Sequence, residues 1–77
     1  MKKQKRYILK SSELCAIGQR IRKKRKALSW TMMDLAFETE IDYRQIGRIE
    51  RGETNFTIGT LLRITHVFDM KLKDIIK

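Results

Sequence analysis

The side chains with the most chemistry to offer are arginines. Arg44, Arg48 and Arg51 recur every three or four residues, interleaved with Ile46 and Ile49. Wound as a helix at about 100° per residue, this segment sends the two isoleucines one way and the three arginines the other. Tyr43 and Gly47 lie on one flank of the arginine stripe and Gln45 on the other. A guanidinium donates two parallel hydrogen bonds from a planar fork, which suits guanine edges and phosphate oxygens. Gly47 costs such a helix about 1 kcal/mol against alanine, and close approach of the backbone to a groove wall is one use for that cost. Residues suited to covalent or metal chemistry stand alone. Cys15 is the single cysteine and His66 the single histidine. Neither an internal disulfide nor a Cys/His zinc set can be built from them. There is no phosphate-cradling glycine loop and no separated carboxylate pair. We therefore expect no enzyme, no catalytic residue, no metal and no cofactor, with His66 on the outer margin of its helix.

The elements that position the arginines are legible from their caps. The 77 residues hold no proline and four glycines, so the chain reads as helices joined by short turns. Ser11 or Ser12 caps a first helix that runs to about Ala27, with Leu14, Ile17 and Ile21 at helical spacing. Thr31 and Asp34 form a capping box for a second helix ending near Glu38, with Trp30 and Leu35 as its hydrophobic staple. Asp42 and Gln45 repeat that grammar for a third helix, with Ile41 and Ile46 as the staple. This third helix stops at Gly52, suited to a left-handed end. Two short helices joined by three or four residues have helix-turn-helix geometry. Thr57 caps a fourth helix carrying Ile58, Leu61, Leu62, Ile64, Thr65 and Phe68. Asp69 takes a left-handed turn, and Met70, Leu72, Ile75 and Ile76 make a short last helix. Residues 1–10 are expected to be a basic flexible arm and residues 11–77 one all-α domain. A chain this short buries only about 60–65% of its unfolded surface, so self-association is expected to add stability.

Charge is distributed unevenly. Residues 1–27 carry eleven Lys/Arg and one acid, Glu13, whereas residues 28–77 carry seven basic and eight acidic side chains. A basic block attached to a nearly neutral body points to a polyanionic partner, nucleic acid first. In the arm, Lys2, Lys3, Lys5 and Arg6 suit phosphates without base preference, while Tyr7, Ile8 and Leu9 are expected to pack its root against the domain. No apolar stretch reaches the length of about 18–20 residues that a membrane span needs. No secretory core follows the charged start. These features lead us to expect a cytoplasmic protein with no membrane partner. RNA is disfavoured by the lack of an evident exposed aromatic platform for unstacked bases.

From Gly18 to Ile76 the sequence resembles, without a gap, the XRE family of helix-turn-helix regulators, the group of lambda-type phage repressors and Cro proteins. The segments IRKKRKALSWTMMDLA, IDYRQIGRIERGETN and TIGTLLRI carry the resemblance. It implies a compact five-helix lambda-repressor-like domain with helix 42–51 in the major groove. It further implies that Asp42, Tyr43, Arg44, Gln45 and Arg48 read bases. Thr31, Met32, Arg51 and Asn55 fall where the family touches phosphates. Arg25 and Glu50 match a pair that bridges the first and third helices. Regulators of this kind bind two half-sites as homodimers. Apolar Leu72, Ile75 and Ile76 are the expected dimer contacts, together with the adjoining part of the fourth helix. The implied function is a sequence-specific double-stranded DNA-binding transcriptional regulator, a repressor. The alternative is the antitoxin of a toxin–antitoxin pair, which uses the same fold to hold a protein partner. The chain ends soon after the fifth helix, so no effector domain and no small-molecule ligand are expected. Four residues depart from the family pattern. Met32 stands where glutamine is usual, Glu40 where glycine is, Lys24 at a core leucine position, and Glu53 where positive charge is favoured.

Overall fold

The structure, a computed structural model, describes residues 11–77; the expected arm, with Lys2, Lys3, Lys5 and Arg6, lies outside the described residues. Among the described residues five helices follow one another in the order α1 (Ser11–Ala27), α2 (Met32–Thr39), α3 (Tyr43–Arg51), α4 (Ile58–Val67) and α5 (Leu72–Ile76). The starts of α2, α3 and α4 are fixed by side-chain oxygens that accept orphan backbone N–H groups. At α2 the Thr31 hydroxyl accepts from the Asp34 N–H at 3.0 Å, and the Asp34 carboxylate accepts from the Thr31 N–H at 2.8 Å. At α3 the cap is one-sided. The Asp42 carboxylate accepts from the Arg44 N–H at 2.7 Å, and Gln45 makes no return bond, which corrects the expected second capping box. Thr57 accepts from the Thr60 N–H at 3.0 Å to start α4.

The helix ends share one device. Ser29, Glu40, Gly52 and Asp69 have φ of 61°, 58°, 72° and 56°, all left-handed. After each, the next N–H reaches back five residues to a helix carbonyl: Trp30 to Arg25, Ile41 to Ala36, Glu53 to Arg48 and Met70 to Thr65. These bonds close the helix ends, the Arg25, Ala36 and Arg48 carbonyls each accepting a second N–H in this way. Three of the four left-handed residues carry a Cβ, which disfavours that geometry. In each of those three cases the following residue is apolar and at least half-buried: Trp30, Ile41 or Met70. Burial of that residue helps hold the strained turn.

The core comprises Ile21, Leu35, Ile41, Ile46, Ile49, Leu61, Ile64, Phe68 and Ile75, all at most 9% exposed. Trp30 leans on Phe68 with ring centroids 5.9 Å apart. Helix α3 packs on α1 and α2, α4 packs on α2 and α5, and α5 also touches α1. Gly18 sets the α1–α3 approach, since a Cβ there would overlap the carbonyls of Ile49 and Glu50. The Arg20 guanidinium donates to the Ile75 carbonyl at 2.8 Å and ties the end of α5 to α1.

Ile75 is fully buried in this single-chain core. Its side chain packs within the core of the single chain. Leu72 is half-buried and Ile76 is 40% exposed, so these two remain available.

Candidate nucleic-acid interface

The turn Glu40–Asp42 fixes how α3 sits on α2. Thr39 is buried, its hydroxyl donating to the Leu35 carbonyl at 2.7 Å while accepting from the Ile41 N–H at 3.3 Å. That bond and the left-handed Glu40 swing Ile41 into the core and aim the next helix away from α2. On α3, Ile46, Gly47, Ile49 and Glu50 are buried, whereas Asp42, Tyr43, Arg44, Arg48 and Arg51 are exposed. Gln45 is half-buried, between the two faces. The exposed face is rich in arginine, and the Arg44 and Arg48 side chains enter no ion pair among the described residues. Thr31 and Asn55 are exposed. Met32 is half-buried and packs partly against the core, leaving its backbone N–H at the first turn of α2 as its polar group.

Behind this face lies one charged contact. Arg25 Nε donates to Glu50 Oε2 at 2.7 Å and Nη2 to Oε1 at 3.0 Å, a bidentate pair. The remaining Nη1 donates to the Trp30 carbonyl at 2.8 Å. The two side chains are 9% and 4% exposed. The hydrogen bond to Glu50, aided by its charge, holds the Arg25 guanidinium above its ordinary pKa against the opposing effect of burial. Arg25 therefore joins α1, α3 and the turn into α2 at one point. It sets the pose of the helix that carries the exposed arginines.

Two features escaped sequence reasoning. Phe37 is 81% exposed and Met33 62% exposed, one helical turn apart on the outer side of α2. Tyr43 is also 45% exposed. Exposed aromatics are thus present, and their supposed absence no longer counts against RNA. The second feature is an exposed Arg51–Glu53 pair, with Nε 3.0 Å from Oε1. Cys15 and His66 remain apart from any reactive grouping. The Cys15 thiol donates to the Arg51 carbonyl at 3.4 Å, and His66 is exposed on α4. Among the described residues no group of three or more His, Cys, Asp or Glu could hold a metal ion. No described helix is long and apolar enough to cross a membrane.

The capped helix pair with an arginine-faced second helix has the form of a helix-turn-helix, and the family match and structural neighbour that follow make the chain a DNA-binding transcriptional regulator rather than an enzyme. The helix-turn-helix family profile matches residues 21–75, and the chain belongs to this family, in its XRE-like branch. Among solved structures, the restriction-modification controller protein C.AhdI from Aeromonas hydrophila is similar, with a TM-score of 0.80 and 28% sequence identity. The similarity covers 83% of this chain and 97% of that one. No curated protein matches the sequence significantly.

Proposed function

We propose that the chain is a sequence-specific repressor that binds double-stranded DNA as a homodimer with α3 in the major groove. The observation that carries this reading is the polarity of α3, with Ile46 and Ile49 at most 1% exposed and its arginines turned to solvent. In this arrangement Asp42, Tyr43, Arg44, Gln45 and Arg48 face base edges. Thr31, the Met32 N–H, Arg51 and Asn55 face the phosphates, where free amides at a helix start suit an anion. A structural neighbour that is a restriction-modification controller supports a role in controlling transcription.

Self-association has a surface to use. Ile58 and Leu62 are 57% and 46% exposed, one turn apart on α4. Leu62 and Leu72 line a groove between α4 and α5 with Met70 and His66. A second copy seated there would cover apolar area that the small core leaves open. Selection from a random pool of duplexes tests both parts. The expected product is an inverted repeat with half-site centres about 34 Å apart, bound by two protomers. A flat sequence profile would overturn specific recognition. One protomer per site at saturation would overturn the dimer.

The proposed arm contributes charge rather than sequence reading. Deletion of Lys2–Arg6 is expected to weaken specific and random duplexes about equally. The slope of log affinity against log salt should flatten by about 0.9 for each phosphate that the arm no longer neutralises. An unchanged slope would make the arm a bystander.

A second reading gives the chain a protein partner as well, as an antitoxin would have. Exposed Phe37 and Met33 favour it, because they lie on α2 rather than on the arginine face of α3. Loss of a stoichiometric partner from the Phe37→Ser variant, with DNA affinity intact, is the result that would select this reading.

A further inference from the structure

Arg51 ends α3, and its side chain folds back along the helix instead of extending from it. Its Nη1 comes within 3.1 Å of the point where a Cβ on residue 47 would stand, with Cζ and Nη2 at 3.9 Å. Residue 47 is glycine, a poor helix former at mid-helix, and it is buried at the border between buried Ile46 and Glu50 and the exposed arginines. The guanidinium thus lies over the gap that the missing side chain leaves. On its other edge Arg51 Nε contacts Glu53 Oε1 at 3.0 Å. Glu53 is brought there by the left-handed Gly52, whose turn closes with the Glu53 N–H donating to the Arg48 carbonyl at 2.9 Å. The backbone of Arg51 is held separately, since its carbonyl accepts from the Cys15 thiol. The side chains of both members of the pair are 56% exposed.

We propose that Gly47 and Glu53 form a holding site that keeps Arg51 folded down in the DNA-free protein, so that Glu53 competes with a DNA phosphate for this guanidinium. The inference rests on the reading that Arg51 meets a phosphate. The Nε that Glu53 occupies belongs to one of the two forks by which a guanidinium grips a phosphate, so a phosphate seated on that fork has to displace Glu53. Binding exchanges carboxylate for phosphate. Glu53 is then a positioning residue that lowers affinity for every duplex alike, because a phosphate contact carries no sequence information.

The test is a double-mutant cycle on duplex affinity. Glu53→Gln keeps the size of the side chain and removes its charge. An exposed ion pair is worth little, so the expected gain is on the order of two- to five-fold. The gain should be similar for preferred and random duplexes, with the ranking of sites unchanged. In an Arg51→Ala background the same substitution should yield little gain. An equal gain in both backgrounds would show that Glu53 acts only through general repulsion of DNA, and the holding site would fall while the phosphate reading stands. If Arg51→Ala itself leaves affinity unchanged, the phosphate reading falls and the holding site with it. A second readout needs no DNA. The NMR signal of the Arg51 Nε–H should move in Glu53→Gln, and to a smaller extent in Gly47→Ala, where the added methyl stands 3.1 Å from Nη1 and makes the guanidinium give slightly. A signal indifferent to both changes would overturn the holding site.

Discussion

Replacement of Arg25 or Glu50 by alanine is expected to cost the fold about 3–5 kcal/mol, because each change strands a nearly buried charge. The two losses should not be equal. Glu50 receives both of its bonds from Arg25 and is 4% exposed, so Arg25→Ala leaves a nearly buried carboxylate without its partner. That variant also frees the Trp30 carbonyl, which Arg25 holds at 2.8 Å. Glu50→Ala leaves an arginine that keeps the Trp30 bond and has a long stem to carry its head toward solvent. Arg25→Ala should therefore be the worse of the two. In a domain this small, a loss of this size is a large share of total stability. Replacing both partners together by apolar residues of similar size, as in Arg25→Met with Glu50→Leu, is expected to recover most of the loss. Urea denaturation of the four proteins measures this. Single-variant losses below about 1 kcal/mol, or a double variant as unstable as the sum of the singles, would remove the pair from its role between α1 and α3.

The contrast between this pair and the ends of the helices shows what a linear sequence discloses. Arg25 and Glu50 were legible only through a resemblance, since nothing local marks a contact between residues 25 apart. The starts of α2 and α4 were legible directly, because Thr31 and Thr57 act on amides three residues away. The Asp42 start was half legible. Asp42 bonds the nearer Arg44 N–H, and side-chain type alone does not say which amide a short carboxylate reaches. Left-handed Asp69 stood out at the end of α4, and Glu40 only through the resemblance, as the residue standing where the family has glycine. Ser29 did not stand out, since its left-handed turn precedes Trp30, whose contact with Phe68 joins residues far apart in sequence. Orientation was the least legible property of α5. Leu72, Ile75 and Ile76 are equally apolar in sequence, yet the docking of five residues against α1 and α4 buries Ile75 completely and leaves Ile76 40% exposed. Phe37 shows the same limit from the other side: its residue type does not mark it for solvent, and its place on α2 away from buried Leu35 leaves it 81% exposed.

Alanine at Arg44 or Arg48 is expected to weaken the preferred duplex by about 1–3 kcal/mol, roughly 5- to 150-fold, and to relax preference at one or two base positions. Three observations single out these arginines from the other basic residues. Both project from α3 on the side away from buried Ile46 and Ile49. Neither is engaged by an acid among the described residues, whereas Arg51 is held by Glu53 and Arg25 by Glu50. Arg44 stands in the first turn of α3, and base contacts of helix-turn-helix proteins come from the start of the second helix. Arg48 follows one turn later on the same side and would meet the next bases along the groove. Lysine substitution separates the two chemical roles an arginine can play. Lys restores a positive point charge, which suffices for a phosphate, but it lacks the fork that grips the two acceptors of guanine. If Arg44 and Arg48 read bases, the lysine variants should recover affinity for random duplexes while still failing to discriminate at the same positions. The measurement is the bound-sequence profile of each variant beside that of the native chain, at one fixed salt concentration. Profiles unchanged in both alanine variants would mean that α3 touches only the backbone. Sequence choice would then have to come from the shape and stiffness of the duplex, and the arginine face would be an electrostatic surface rather than a reading head.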